Sequence, residues 1–547
     1  MANPISVEFG RKVRCDKAVP CSTCIRRGEA ELCVRETVIV RGNVTVAQDS
    51  DQQPTYEQLL VEIALLRQQQ VPPQPQPHIL PVPSQQLDYN AVHLTVERSR
   101  ALDETLFQSA APHLPTSNRI GWDSIILPST QCSIGLVEYD KIWNSWVHYA
   151  IEYPQFEHEH NRFLLALQSG TPLHEYDASW LAIYFSVITA ALLTMDDEEA
   201  NQLGLLALNY DYTTLLRNWY DASLFCLHQA DFMRRLDMRT VQAVAILGIC
   251  FVNFGDKHLY ESIWACAFSI AQRLGLDQPG VSAADGMSQE ARRRLWWTLV
   301  ICDWLQVPYR IPIVRDGDFD VDLPSVEGNP RPIGSDGRSI HPVHYHTFMA
   351  RCSRVWHRFQ AALRTTAGAA TLDDTVRRAD CELAEIIDTL PHYLQPDRQY
   401  EADELEATYP WIVWQRFDIT LVLLHLRLRA NQVLRDTWSA KTTTRTTPMH
   451  HPYSWARSLC IATARELIWI CHHWHQPVTK RRQWALSFYV FNAARHLVEE
   501  CLEWSTTDME KLAWRSDVAV GMAYLEAIQS HNVIAQEGVQ ILKGLLQ

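Results

Sequence analysis

Four cysteines near the start of the chain are the residues best suited to chemistry. Cys15, Cys21, Cys24 and Cys33 follow the pattern C-x5-C-x2-C-x8-C within 19 residues. Thiolates at such spacing suit a tetrahedral zinc ion. A segment this short has no hydrophobic core, so metal binding would supply its free energy of folding. The spacing therefore predicts a zinc site, against the alternative of four incidental cysteines.

The charge of this cysteine segment differs from that of the rest of the chain. Between Arg11 and Arg35 there are seven basic and three acidic side chains, a net charge of +4, whereas the whole chain carries −14. This balance argues against a protein that coats nucleic acid over its entire surface. It favours phosphate contact that is confined to one small module.

The stretch RKVRCDKAVPCSTCIRRGEAELC, which ends at Cys33, resembles the last two-thirds of the fungal binuclear zinc cluster. Six cysteines hold two zinc ions in that family, and the resemblance identifies Cys15, Cys21, Cys24 and Cys33 as the third to sixth of them. The first two would fall at Ile5 and Glu8, neither of which supplies a thiolate.

The missing thiolates leave three arrangements open. The first and fourth cysteines bridge the metals in the family, so four thiolates alone cannot fully coordinate two zinc ions. The recorded start of the chain could be a gene-prediction error that replaced a true Cys-x-x-Cys. Alternatively, the four cysteines hold a single zinc ion, or the head has lost both metal and specific DNA binding.

The resemblance also assigns roles to the basic residues before the first of these cysteines. Arg11, Lys12 and Arg14 match the short helix that enters the DNA major groove in the family. The position of Lys12 implies that it reads guanine edges in CGG-type half-sites, while Arg11 and Arg14 contact phosphate. The alternative is a solvated basic run with no DNA contact.

The composition of residues 42–90 predicts a linker between this head, residues 1–41, and a body, residues 91–547. Apolar residues at Tyr56, Leu59, Ile63 and Leu66 have coiled-coil spacing over only two heptads. Such a helix is marginal by itself, so a homodimer formed through residues 56–66 and a frayed amphipathic stretch both remain open. Six prolines within residues 71–83 then favour an extended spacer.

The body has the composition of a helical globular domain. The whole chain is 47% hydrophobic and contains 19 Trp, enough apolar surface to form a core. Helical patterns from about Tyr139 onward include runs at residues 222–236, 240–252, 261–274 and 289–307. The apolar run from Trp180 to Met195 is short for a membrane span and indicates a buried helix. No alternating strand pattern competes, so we predict an all-α body with no membrane partner.

Residues 218–323 resemble the regulatory, or middle homology, domain of fungal transcription factors. The segments A-x-R-L-G-L, from Ala271, and R-R-x-L-W-W, from Arg292, carry the resemblance, which covers most of residues 135–430. One departure is Y-R-I-P at Tyr309–Pro312, where the family often has Gly-Arg-Pro. The resemblance implies a nuclear, zinc-dependent, sequence-specific regulator of RNA polymerase II genes that is not an enzyme.

Two other groups of residues have alternative interpretations. We expect Arg292, Arg293 and Arg294, which oppose the dipole of their helix, to pair with acidic side chains elsewhere and not with DNA. Histidines in FEHEH, HPVHYH and CHHWH suggest a helical metalloenzyme, but none has the H-E-x-x-H spacing, so ordinary structural histidines are favoured. A further alternative is a regulator that lacks its own DNA binding and acts through its body.

Overall fold

A computed structural model describes residues 89–110, 120–205, 210–280, 286–326, 337–365, 369–395, 403–439, 453–473, 482–503 and 507–547. The cysteine head, the short coiled-coil pattern and the Pro-rich spacer lie outside these ranges. Within them the backbone forms α-helices and short 3-10 turns, with no β-strand. The prediction of an all-α body is confirmed.

The described ranges contain eighteen α-helices. The first nine are α1 (Tyr89–Ser109), α2 (Thr130–Trp143), α3 (Ser145–His148), α4 (Tyr153–Gln168), α5 (Ala178–Thr194), α6 (Asp197–Gln202), α7 (Tyr212–Gln229), α8 (Met238–Leu247) and α9 (Lys257–Arg273). The second nine are α10 (Gln289–Trp304), α11 (Val343–Leu363), α12 (Ala369–Asp388), α13 (Asp403–Thr408), α14 (Trp411–Ser439), α15 (Ser454–His473), α16 (Trp484–Glu503), α17 (Asp508–Glu526) and α18 (Val533–Leu546).

Helix α5 lies at the centre of a first hydrophobic core, formed mainly by residues 125–314. The Asp177 side chain caps this helix by accepting the backbone N–H of Ser179 at 3.0 Å. Every residue from Ser179 to Thr194 is buried, because α2, α7 and α8 pack around the helix. The apolar run is therefore a buried helix, as predicted, and no helix in the described ranges is long and apolar enough to span the bilayer.

Helix α10 contributes side chains from more than one face to the same core. Leu295, Thr298 and Leu299 are buried, and the neighbouring side chains Trp296 and Trp297 are also completely buried. The reason is that a loop packs over the far side of α10. There the Trp297 indole donates a hydrogen bond to the Asp322 carbonyl at 2.7 Å.

The arginines at the start of α10 are paired differently from the expectation. Arg293 and Arg294 contact Glu290, in the first turn of their own helix, at 2.6 and 2.9 Å. Arg292 is buried and donates to the carbonyl of Leu274 at 2.7 Å. The acidic partner is therefore local, and its position near the N-terminus of the helix also complements the helix dipole.

A second core, formed mainly by residues 340–542, surrounds α14. Helices α11, α12, α15 and α16 pack on α14, and α1 docks against it as well. Asp103 of α1 and Arg429 of α14, which are 326 positions apart, form a bidentate ion pair at 2.7 and 3.3 Å. Within the described ranges, helical structure is thus present from Tyr89, well before the expected start near Tyr139, because α1 is stabilised by a distant helix.

Most helix ends differ from the sequence expectation by a few residues. Helix α7 begins ten residues before Ala222, because Asp211 caps it by accepting the N–H of Thr214 at 2.6 Å. The run predicted to reach residue 252 ends at Leu247, and a 3-10 turn follows at Phe251–Phe254. The run predicted to end at residue 274 ends at Arg273, and Gly275 after it adopts the left-handed conformation with φ of 71°.

Candidate functional site: a cavity between the two cores

The sequence-predicted site residues lie outside the described ranges. These are the cysteines and basic residues of the head, namely Cys15, Cys21, Cys24, Cys33, Arg11, Lys12 and Arg14. The zinc site and the DNA contact therefore stay predictions, and the two zinc ions of the intact family cluster are likewise untested.

The histidine clusters of the body act as hydrogen-bonding groups. His160 contacts the Ser133 hydroxyl at 2.8 Å, and burial lowers the pKa of its imidazole to about 4. The His341 Nδ1 atom accepts the N–H of Val343 at 2.9 Å, and the His344 Nδ1 atom contacts the Tyr393 hydroxyl at 2.7 Å. Over the described residues, no group of three or more His, Cys, Asp or Glu side chains could hold a metal ion.

A cavity of about 160 Å³ lies where the two hydrophobic cores meet. Helices α3, α9 and α10, together with the segment after α8, form its wall on the side of the first core. Helices α11, α14 and α16 close it on the side of the second core. A molecule bound here would therefore contact both halves of the helical body.

Most of the cavity wall is apolar. Ile249 and Ile301 belong to the first core and Val422 to the second, while the rings of Trp484 and Tyr489 add aromatic surface from α16. Pockets that bind small organic molecules have this composition, with a few polar groups that fix the orientation of the ligand.

Asp418 is the polar group of the wall whose charge lacks a counterion. The phenolic hydroxyl of Tyr345 donates a hydrogen bond to its carboxylate. No Lys, Arg or His side chain forms an ion pair with Asp418 within the described part of the chain. Burial raises the pKa of Asp418 to about 6, and the Tyr345 hydrogen bond opposes this increase. The carboxyl is therefore largely ionised at neutral pH.

Tyr489 stands beside this carboxylate. Burial raises the pKa of its phenol first, and the negative charge of Asp418 raises it further. Its ring stacks on His425 at a centroid distance of 4.1 Å, which fixes the ring orientation. One end of the cavity thus combines an anionic oxygen with aromatic rings, and both stabilise a positive charge.

Lys257 also lines the cavity, but its charge is compensated. Its ammonium contacts Glu261 at 2.7 Å, and Glu261 also pairs with Arg310 of the Y-R-I-P segment at 3.0 Å. Burial lowers the pKa of Lys257, while the neighbouring carboxylate of Glu261 opposes that decrease. This cluster holds the start of α9 against the loop after α10.

His346 supplies an uncharged polar group to the wall. Burial lowers the pKa of its imidazole to about 3, so the ring is neutral. The Thr298 hydroxyl donates to the His148 carbonyl at 2.9 Å, which leaves its oxygen to accept from the Nε2–H of His346 at 3.2 Å. The Nδ1 atom is then an acceptor, and it has no hydrogen-bond partner among the described residues.

Sequence reasoning missed this cavity. Asp418 lies inside helix α14, where it is the one acidic residue of the largely apolar stretch WQRFDITLVLLH. A charged residue within such a run was the available signal, because buried carboxylates are rare unless they have a structural or functional partner. Which other helices meet Asp418 could not be read from the sequence.

Part of this chain matches a known protein-family domain. Residues 140–369 match the "Fungal specific transcription factor domain". The matched segment runs from the end of α2 to the start of α12, so it includes the first-core side of the cavity together with Tyr345 and His346. Asp418, Trp484 and Tyr489 lie beyond it. The match supports the regulatory-domain resemblance but does not test the zinc cluster.

The individual relatives include transcription factors and a subunit of a centromere DNA-binding protein complex. The chain is 23% identical over 371 residues to the agnestins biosynthesis cluster transcription factor AgnL11 of Paecilomyces divaricatus, which covers 61% of this chain and 50% of the relative. It is 22% identical over 360 residues to a protein of the centromere DNA-binding complex CBF3 of Saccharomyces cerevisiae, covering 59% and 53%. The chain thus spans about half the length of these relatives.

The fold resembles that of a solved structure. The K. lactis CBF3 core superposes with a TM-score of 0.53 at 11% identity, and the likeness covers 83% of this chain and 93% of that one. At this identity the comparison shows the fold only. The family match and the transcription-factor relatives agree with the prediction that the chain is a transcription regulator.

Proposed function

We propose that this protein is a nuclear, sequence-specific transcription regulator of RNA polymerase II genes. Its head, residues 1–41, would contact DNA, and its helical body would control activity or partner binding. The observation that carries the proposal is the match of residues 140–369 to the fungal transcription-factor domain. The basic head joined to an acidic chain is independent support, because it confines phosphate attraction to one end of the chain.

The zinc content of the head is part of the proposal. Cys15, Cys21, Cys24 and Cys33 form a donor set that fits one tetrahedral zinc ion, whereas two fully coordinated ions need further thiolates. When bound, zinc would supply the folding free energy of this segment. The thiolates would thereby fix the position of the basic stretch before Cys15.

The same basic stretch would contact DNA. Lys12 would read guanine edges in CGG-type half-sites, and Arg11 and Arg14 would contact phosphate. A homodimer formed through residues 56–66 would place two heads on paired half-sites.

A second function is a regulator that lacks autonomous DNA binding and assembles with partners through its body. The likeness of the body to the CBF3 core favours this second function. One relative is named as a subunit of the CBF3 complex, so CBF3 is an assembly of several proteins. The absence of thiolates at Ile5 and Glu8 is consistent with this alternative.

One experiment separates the two functions. Zinc per chain is measured by elemental analysis on the full protein, and binding to a CGG-containing duplex is measured by fluorescence anisotropy. We expect one zinc ion per chain and specific binding, both lost in Cys24→Ser. The matched control Cys381→Ser, at an exposed cysteine of the body, should change neither. No zinc and no binding by the folded wild-type protein would overturn the first function and favour the second.

A further inference from the structure

The cavity at the junction of the two cores has one charged group that the fold does not neutralise. The buried carboxylate of Asp103, for example, forms an ion pair with Arg429 at 2.7 Å. Asp418 instead has only the hydroxyl of Tyr345. A carboxylate placed in an apolar wall without a counterion destabilises the fold unless a ligand compensates it.

We propose that this cavity binds a small organic ammonium ion, whose charged nitrogen contacts Asp418 and whose apolar body fills the space towards Ile301 and Val422. The charge, the lining and the size of the cavity each restrict the ligand.

The charge of the wall excludes an anionic ligand. A carboxylate or phosphate would meet Asp418 at the same end of the cavity, where no cation lies within ion-pair distance among the described side chains. The cation that does line the cavity, Lys257, is already paired with Glu261 at 2.7 Å. A positively charged ligand can therefore form the ion pair with Asp418 that no described side chain of the protein forms.

The aromatic lining favours a cation over a neutral hydrogen-bond donor. The rings of Tyr345, Tyr489 and Trp484 belong to the wall. Aromatic faces attract ammonium groups, and the attraction strengthens where water is excluded. A hydroxyl group could donate to Asp418 as well, but it would gain neither the charge pairing nor the contact with the rings.

The size of the cavity limits the apolar part of the ligand. An interior cavity of about 150 Å³ holds a benzene molecule, and this one has about 160 Å³. A ligand of about one ring, with a short arm that ends in an ammonium group, fits this volume. The unpartnered Nδ1 atom of His346 offers a second acceptor for an additional N–H or O–H group.

The position of the cavity gives the ligand a structural consequence. Tyr345 lies within residues 140–369, whereas Asp418 and Trp484 come from helices beyond that segment. A bound ammonium ion would neutralise Asp418 on the side of the second core, while its apolar body contacts Ile301 of the first core. It would thereby stabilise the packing of one core against the other.

Binding is tested on the full-length protein with three probes of the same shape and different charge. These are 2-phenylethylamine, which is cationic at neutral pH, 2-phenylethanol, which is neutral, and phenylacetate, which is anionic. Kd values are measured by ligand-observed NMR at pH 7.5. We expect the amine to bind roughly tenfold or more tightly than the alcohol, and phenylacetate not to bind.

Two variants assign the binding to the cavity. Asp418→Asn keeps an acceptor for Tyr345 but removes the charge, so the preference for the amine should disappear. The matched control Asp380→Asn removes a surface carboxylate paired with Arg427 and should keep the preference. Ala485→Leu adds volume to the wall and should weaken binding of both the amine and the alcohol.

Specific results would overturn the proposal. Equal Kd values for amine and alcohol on the wild-type protein, no binding of any probe, or an unchanged amine preference in folded Asp418→Asn would each do so. If circular dichroism shows that Asp418→Asn does not fold, unchanged amine binding by Ala485→Leu would overturn the proposal instead. The assay uses neither DNA nor zinc, so its failure is distinct from failure of the proposed function.

Discussion

Tyr345 of α11 donates its phenolic hydrogen to the carboxylate of Asp418 on α14, at the wall of the cavity where the two hydrophobic cores meet. The Tyr345 ring also packs edge-on against Trp146 at a centroid distance of 4.9 Å, so its position is fixed from both sides. This pair connects the matched transcription-factor segment to the helices that follow it.

Replacing Tyr345 with Phe should destabilise the body. The ring contact with Trp146 would remain, but Asp418 would lose its hydrogen bond in a site where burial already raises its pKa. We expect the free energy of unfolding to fall by about 1 to 3 kcal/mol. Urea denaturation followed by circular dichroism measures it.

Tyr489→Phe is the control for Tyr345→Phe. No hydrogen bond joins the Tyr489 hydroxyl to any residue that the structure describes. This substitution should change the free energy of unfolding by less than about 0.5 kcal/mol. Equal effects of the two substitutions would contradict the role of the Tyr345–Asp418 hydrogen bond.

The adjacent Trp296 and Trp297 of α10 form a second matched pair. Both indoles are completely buried, but only Trp297 donates to a carbonyl, that of Asp322, at 2.7 Å. The Trp296 Nε1 atom lacks a partner among the described residues. Trp297→Phe should therefore lower the free energy of unfolding by about 1 kcal/mol or more beyond the effect of Trp296→Phe. A larger effect of Trp296→Phe would refute this difference.

The sequence predicted the class of the fold but not the packing around the cavity. The buried helix α5 and the Gly275 stop follow from local patterns, namely a long apolar run and a glycine at a left-handed position. The docking of α1 on α14 through Asp103 and Arg429 depends on residues 326 positions apart, which no local pattern relates.

The two candidate sites also differ in how far the sequence alone could predict them. The cysteine head could be proposed as a zinc site because its spacing is local and metal chemistry restricts it. The cavity was not found, because Lys257, Tyr345, Asp418 and Tyr489 meet only after four helices have packed. Asp418 within a largely apolar stretch of α14 was the one visible sign, and by itself it does not identify its neighbours.

Asp303 should give the stability of the protein a specific pH dependence. This carboxyl accepts the N–H groups of Ile313 and Val314 at 2.8 and 3.4 Å, and burial raises its pKa from 3.8 to about 7. Between these two pKa values the folded state binds more protons than the unfolded state. The contribution of Asp303 to stability is therefore present at low pH and is lost as the pH rises towards 7.

The variant Asp303→Asn isolates this contribution, because its amide keeps an acceptor for both N–H groups and does not titrate. Thermal unfolding of the wild type and the variant is compared from pH 5 to pH 8. We expect the wild type to lose stability relative to the variant up to about pH 7. The same comparison with Asp373→Asn, at a surface ion pair, should show no such trend. A pH-independent difference for Asp303→Asn would contradict the raised pKa.

Substitutions in the head should separate base reading from phosphate contact. Lys12→Ala should reduce the preference for CGG over scrambled duplexes by about 1 to 3 kcal/mol, because it removes hydrogen bonds to guanine. Arg14→Ala should weaken binding to both duplexes equally and reduce the salt dependence by about one ion. Anisotropy titrations at several salt concentrations measure both effects. Identical behaviour of the two variants would contradict the assigned roles.

The central claim is that the protein regulates transcription from specific DNA sites, and chromatin occupancy in a fungal cell tests it most directly. The full chain is expressed with an epitope tag, and its bound DNA is recovered and sequenced beside that of Lys12→Ala. We expect discrete promoter peaks that contain CGG-type half-sites for the wild type and are lost in the variant. A wild-type profile without such peaks, from a protein that is folded and nuclear, would contradict it.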